Sequence, residues 1–306
     1  MRYLFLFIFL WIHPILFAQA SLDSLRKFVV KISTPPYPRN TFRADYVQKT
    51  AEYIFNHFRQ YAPHVSAQNI VWKDEPYENI VVRFGPSNAK RIIIGAHYDV
   101  FGNTQGADYN ASGVAALMEL ARLFSMMQKQ LLVRIDLVAY ALHEPSNAKE
   151  LCIGSKFHAN SLLAEKNSVL GMLNLDGIGY FSDKRKSQRF PFWHYRILYG
   201  HRGNFIGIMQ QHGNQLWSRQ MRYLLKQYAN KLRVINFKPG LPISFLSEGD
   251  HSSYWDNGFD AICLTNTGPW RNKNYRFDTD TYETLDYFRM TKVVNMVYHA
   301  ILRYRV

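Results

Sequence analysis

Short β-branched runs alternate with stretches of helical periodicity along most of this chain, and that alternation restricts the fold more than any other feature. From Thr41 to Tyr61 the residues Val47, Ala51, Ile54, Phe55 and Phe58 recur at helical spacing. After Gly113 the residues Val114, Leu117, Leu120, Ala121 and Phe124 do so again. Between these stretches Asn79–Phe84 and Arg91–Ile94 read as strands, and the intervening Gly85-Pro86-Ser87-Asn88 predicts a hairpin or turn-linked pair. Arg134–Ala141, Gly171–Leu175 and Phe259–Thr265 read as further strands, and Tyr287–Leu302 as a closing helix. Strands joined through helices pair in parallel, because each crossover must return the chain over the sheet. The expectation is an α/β fold occupying residues 21–306 as a single domain. It is a three-layer sandwich with a mostly parallel central sheet between helices. Ligands of such sheets collect beyond the carboxyl ends of the strands.

Composition agrees with a packed fold. Apolar residues make up 47% of the 306 residues and charged residues 20%, which excludes a disordered chain; 17 Gly and 12 Pro exclude a collagen-like one. The N-terminus reads differently from the rest. Met1-Arg2 is followed by an apolar run from Tyr3 to Phe17, broken only at His13-Pro14, and then by Ala18-Gln19-Ala20, a small-x-small cleavage pattern. Residues 1–20 are therefore expected to be a secretory signal peptide, since the run is short for a bilayer span and contains Pro14. The product is expected to be periplasmic or extracellular, with no stable membrane span. Two cysteines, Cys152 and Cys263, are too few for a thiolate zinc cluster, although export would permit a disulfide between them.

Five segments set histidines and carboxylates where ligands should gather. Ile94-Gly95-Ala96-His97-Tyr98-Asp99 runs from a strand into His97 and Asp99, and Gly106–Gly113 is a tight loop around Asp108 that opens a helix. His143-Glu144 follows the Arg134–Ala141 strand, Asp176 follows the next, and Asp250-His251 lies further on. Any one of these reads equally well as a cap or a core hydrogen bond. Five in order suit a zinc site built from nitrogen and oxygen ligands, with a position left open for water.

These segments together resemble the di-zinc aminopeptidases of the bacterial leucyl aminopeptidase type, a zinc-exopeptidase superfamily that also includes the glutaminyl cyclases. The resemblance runs from about Asn79 to the C-terminus. It implies that His97 and Asp176 hold one zinc, that Glu144 and His251 hold a second, and that Asp108 bridges the two. It implies that Asp99 accepts a hydrogen bond from the far ring nitrogen of His97 and fixes its tautomer. Two divalent ions balanced by three carboxylates would leave one positive charge to acidify a bridging water and polarise a scissile carbonyl. A peptide substrate and a peptidase reaction at its N-terminus follow from the resemblance. The cyclase branch, with a single zinc, is the second catalytic expectation, and Gly177-Ile178-Gly179-Tyr180 looks more like the peptidase branch.

The chain departs from that family at two positions. The residue before the metal-binding glutamate, usually a second glutamate that serves as general base, is His143. The position after the expected bridging aspartate, usually acidic, is Tyr109. Three readings stay open here: His143 is a substitute base, it is an extra metal ligand or bystander, or the protein binds peptides without turnover.

Other features have bland alternatives. Asp280–Asp286 resembles the family's closing motif and equally suits a helix cap at Thr284 or Asp286. Tyr254, Trp255, Trp270 and Tyr275 suit a substrate pocket or the core. Asp183–Arg189 is a basic loop and Asn272–Arg276 a second basic cluster. The net charge of +14 is otherwise spread along the chain, with no basic tail or nucleic-acid motif, so no nucleic-acid partner is expected. Adhesion to anionic envelope components is the remaining implication of the charge.

Overall fold

The computed structural model describes residues 18–144, 151–211, 213, 215–237 and 248–305. Residues 1–17, most of the expected signal peptide, lie outside the described residues. Eight strands form one sheet: β1 Val65–Trp72, β2 Glu75–Phe84, β3 Arg91–His97, β4 Arg134–Tyr140, β5 Val169–Asp176, β6 Phe205–Gln210, β7 Arg233–Asn236 and β8 Ala261–Thr265. Their order is β1-β2-β4-β3-β5-β8-β6-β7. The central pairs β4–β3, β3–β5 and β5–β8 are parallel, as is β6–β7, whereas β1–β2, β2–β4 and β6–β8 are antiparallel.

The sheet corrects one expectation. The Gly85–Asn88 turn forms, with Ala89 N donating to Pro86 O, but β2 and β3 are not a pair. Strand β4 lies between them, because the crossover through α3 (Ser112–Met126) returns beside β3 and fills the edge that a hairpin would need.

Alternating side chains divide the core. On β3, Ile92 and Ile94 join the larger cluster and Ile93 the smaller, the period of two expected of a strand covered on both faces. The larger cluster packs α1 (Leu22–Ser33), α2 (Ala44–Arg59), α3, α6 (Leu216–Gln227) and α8 (Tyr287–Arg303) on one face. On the other face lie α4 (Ile153–Ser161) and α7 (Asp250–Asp256), whose Ala159 and Tyr254 meet Tyr140 and Met172. A short α5 (His194–Tyr199) rides on a long excursion between β5 and β6. Helix α8 begins as one of the sequence readings had it, with Asp286 Oδ1 accepting from Arg289 N at 2.9 Å. Both cysteines are buried and free, so the permitted disulfide does not form.

Candidate active site at the carboxyl ends of the strands

The parallel strands deliver their last residues to one end of the sheet. His97 ends β3, Asp176 ends β5, and His143-Glu144 follow β4 after Leu142, whose φ is +56°. Helix α7 opposes them with Asp250 and His251 in its first turn. All are buried, so each polar atom must find a partner or cost free energy.

Asp99 builds the frame. Its Oδ1 accepts from the backbone N of His143 and its Oδ2 from that of Glu144, both at 3.0 Å. One side chain thereby fixes where both neighbours of the β4 turn point. The Nδ1 of His97 lies 3.2 Å from the Asp99 backbone carbonyl oxygen and 3.6 Å from the carboxylate Oδ1. Burial alone would raise the Asp99 pKa. Its hydrogen bond and charge contact with His97, with help from His143, outweigh that and hold it below the ordinary carboxylate range.

His143 stacks on His97 with ring centroids 3.8 Å apart and planes within 10°. Both of its nitrogens are engaged: Nδ1 meets Asp250 Oδ1 at 3.0 Å and Cys152 Sγ at 3.5 Å, and Nε2 meets the Tyr109 hydroxyl at 3.3 Å. Burial works against charge on this ring, but Cys152 and Asp250 outweigh it and keep the pKa above the usual imidazole range. The Cys152 thiol, pushed up by burial, donates to Glu248 O at 3.1 Å. Among the described residues, His143, Cys152 and Asp250 are the one trio whose ligand atoms all lie within 4.8 Å of one another.

Glu144 is claimed by a cation of the chain itself. Arg276 Nε lies 3.0 Å from Oε1 and 3.2 Å from Oε2, and Nη2 makes a further short contact to Oε1. The guanidinium packs over Phe101 and Tyr275, 4.8 and 5.3 Å from their centroids. Tyr109 fills the space alongside, its ring edge-on to His97 at 5.0 Å and to Tyr275 at 4.5 Å.

Asp108 lies apart from this group. Its Oδ1 accepts from Gly179 N, Tyr180 N and Asn266 Nδ2, each at 3.0 Å. Its Oδ2 accepts from Asn266 Nδ2 at 2.8 Å and Asn272 Nδ2 at 2.9 Å. The loop that carries it is gripped by Asp280, whose carboxylate accepts from the backbone N of Asp108 at 3.0 Å and of Tyr109 at 3.2 Å. Burial and the Asp108 charge push Asp280 up to about 7. Gly106, at φ +57°, starts the loop, and a Cβ there would fall 2.5 Å from Tyr109 O. In this loop Tyr109, not Asp108, turns toward the histidines.

Asp176 and His251 complete the group. Asp176 is pushed up to about 6 by burial, with Asp250 and Glu144 adding to the rise and His97 and His143 opposing it. His251 stands edge-on to Trp255 at 4.5 Å, with its Nδ1 3.4 Å from Asn174 Nδ2. A Cβ on Gly249 would lie 2.8 Å from His251 Nδ1 and 3.3 Å from Asp176 Oδ2, so only glycine fits between them. Among the described residues of this region, four buried atoms have no hydrogen-bond partner: His97 Nε2, Asn174 Oδ1, Asp176 Oδ1 and Asp250 Oδ2.

The structure thus gathers His97, Asp99, His143, Glu144, Asp176 and His251, and leaves Asp108 outside with both oxygens satisfied. Sequence reasoning passed over Asn266, named Asp250, Cys152 and Asp280 without giving them a part in the site, and noted Arg276 only as part of a basic cluster. Of the four aromatics weighed as a pocket, Tyr275 lies against Tyr109 and Trp255 against His251. Tyr254 is a core residue bonded to Tyr140 at 2.7 Å, and Trp270 packs beside the Phe190 cluster. Two zinc ions do not fit this donor set, because the intended bridge is saturated and Glu144 is capped by a guanidinium. The ligand atoms left unpartnered are His97 Nε2, Asp176 Oδ1 and Asp250 Oδ2.

Comparison with known proteins places this geometry. The chain is 35% identical over 291 residues to the uncharacterized protein YfbL of Escherichia coli, covering 91% of this chain and 87% of that one. Its fold resembles LapB of Legionella pneumophila, with a TM-score of 0.73 and 20% identity, covering 92% of this chain and 72% of that one. It also resembles the glutaminyl cyclase of Porphyromonas gingivalis, with a TM-score of 0.70, 20% identity, and 92% and 98% covered. The profile of Peptidase family M28, whose enzymes typically bind zinc, matches residues 79–301. With that match covering strands β3 to β8, part of β2 and every residue of the site, the chain belongs to peptidase family M28.

Proposed function

We propose that this protein is an exported member of the family that binds the N-terminal ends of peptides and has lost two-zinc hydrolysis. The observation that carries this reading is the Arg276 fork on Glu144. A buried carboxylate forked by a guanidinium is a poor metal ligand, because the metal would have to displace a charge that already satisfies both oxygens. His143 supports the same reading. With Asp250 on one nitrogen and Tyr109 on the other, neither ring lone pair is open to take a proton from water. What the site keeps is an anionic wall: Asp176 Oδ1 is unpartnered and suits the α-ammonium group of a peptide.

The test pairs turnover with binding. Zinc-loaded protein is expected to release nothing above background from aminoacyl-anilides and to cause no mass loss from an N-terminal glutaminyl peptide. Calorimetry should detect peptides with a free N-terminus, and both N-acetylation and Asp176→Asn should abolish that heat. Chelator-sensitive turnover by the natural protein in either assay would overturn the reading, as would equal binding of acetylated and free peptides.

A further inference from the structure

The basic loop singled out in the sequence has no part in the site, and the structure places it beside an apolar surface. Residues 182–204 form an excursion between β5 and β6, closed at its base by a bridge between Ser182 and Gly203 and by Gly203 N donating to Ser187 Oγ at 2.9 Å. Helix α5 rides on it. Its inner face is anchored by Tyr199, whose ring meets Phe190 at 5.8 Å and Phe237 at 5.1 Å, with Tyr195 stacked behind at 6.1 Å. The outer face is unpartnered by the fold. Trp193 is 73% exposed and Ile197, one turn on, 74%; Leu198 and Phe192 follow at 57% and 48%. Residues anchored so firmly below and so exposed above form a fixed apolar surface rather than a frayed turn.

The charges around that surface all have one sign but one. Lys184, Arg185, Lys186, Arg189, Arg196 and Arg202 are exposed within the same excursion. Its single acidic residue, Asp183, is paired with Arg289 at 2.5 Å. Aromatic and aliphatic side chains on one side of a short helix, ringed by long cationic ones, suit a headgroup boundary: the rings enter the acyl edge and the cations meet lipid phosphate. No helix among the described residues is long and apolar enough to cross a membrane, so such contact would lie on the surface.

We propose that residues 182–204 dock this protein on the surface of an anionic phospholipid bilayer, with Trp193 and Ile197 inserted and the surrounding lysines and arginines on the headgroups. The inference is independent of the peptide-binding reading, and so is its test. A chain starting at Ala18, which contains every described element, is sedimented with vesicles of equimolar phosphatidylglycerol and phosphatidylcholine and with vesicles of phosphatidylcholine alone. Binding is expected to be roughly tenfold or more stronger on the anionic vesicles and to weaken as salt rises. Trp193→Ser/Ile197→Ser should weaken it by roughly tenfold or more with unchanged circular dichroism, because both side chains are exposed in the free protein. Replacing Lys184, Arg185 and Lys186 by serine should lower binding to the anionic vesicles alone. Equal partition onto both vesicles, or unaltered binding by the double variant, would overturn the proposal. So would a dimer seen by light scattering that the double variant dissolves, since the surface would then belong to a second copy of the chain.

Discussion

Asp108 and Asp176 are both buried aspartates, one in the loop that opens α3 and the other at the end of β5, and their surroundings are opposite. Asp108 accepts hydrogen bonds from Gly179 N, Tyr180 N, Asn266 Nδ2 and Asn272 Nδ2. Asp176 keeps Oδ1 without a partner and is pushed up to about 6. The first carboxylate has become part of the scaffold, joining the loop before α3 to the ends of β5 and β8. The second is held at a free-energy cost, which is the mark of a group kept for a ligand. Two aspartates of one motif set can therefore diverge into structure and function, and only the donors around them tell which is which.

The largest expected effect is on the scaffold side. Asp108→Asn turns one acceptor oxygen into an N–H group facing donors and removes the charge that holds the rest. Urea unfolding should show a loss of about 3–5 kcal/mol with an unchanged denaturant slope. A loss below about 1 kcal/mol would mean that these hydrogen bonds are not what fixes the loop, and the contrast with Asp176 would collapse.

How much of this was legible in the sequence follows from the same contrast. The α/β class, the four strands of the parallel centre and the strand-end places of His97, Glu144 and Asp176 could be read because strand ends announce themselves locally, in an apolar run that stops at a polar residue. Strands β1, β6 and β7 were not read; Val65–Trp72 alternates with polar residues and Arg233–Asn236 is only four residues long. The hairpin misreading arose because turn chemistry is local and strand order is not. Asp108 was assigned to the metals by its place in the loop. One residue of register decides whether Asp108 or Tyr109 faces the histidines, and nothing in the Gly106–Gly113 composition records it. Arg276 reaches Glu144 across 132 residues, a pairing without any local signal.

On the Asp176 side the sign reverses. Its pKa is raised from an ordinary 3.8 to about 6, so between those values the folded protein binds more proton than the unfolded one. The carboxylate therefore destabilises the fold fully above about pH 6, and stability recovers as pH falls toward 4. Asp176→Asn, measured with chelator at pH 8, should gain about 1–3 kcal/mol and lose that rise on acidification. A buried histidine adds an opposing slope. His158, whose Nδ1 meets the Tyr254 hydroxyl at 2.6 Å, is pushed down to about 3 by burial. Its contribution is complete above the ordinary imidazole value and is lost below it, at up to about 1.4 kcal/mol per pH unit. The two slopes separate in the variants: His158→Phe should flatten the acid loss, and Asp176→Asn should steepen it.

The smallest effect tests whether Arg276 stands where a metal would. Arg276→Met leaves Glu144 buried without its partner, while the partly exposed guanidinium takes its own solvation with it when lost. The expected cost in chelator is on the order of 2 kcal/mol, below the range for a fully buried pair. In the variant, the Glu144 carboxylate is released to a cation, and micromolar zinc should recover part of the loss as a rise in thermal midpoint. In the natural protein the same zinc should shift the midpoint little, because the unpartnered atoms of His97, Asp176 and Asp250 form no compact trio among the described residues. An equal zinc shift in both would place the cation at those unpartnered atoms alone. A larger shift in the natural protein would mean that zinc displaces Arg276 from Glu144, and the loss of the two-metal site would have to be abandoned.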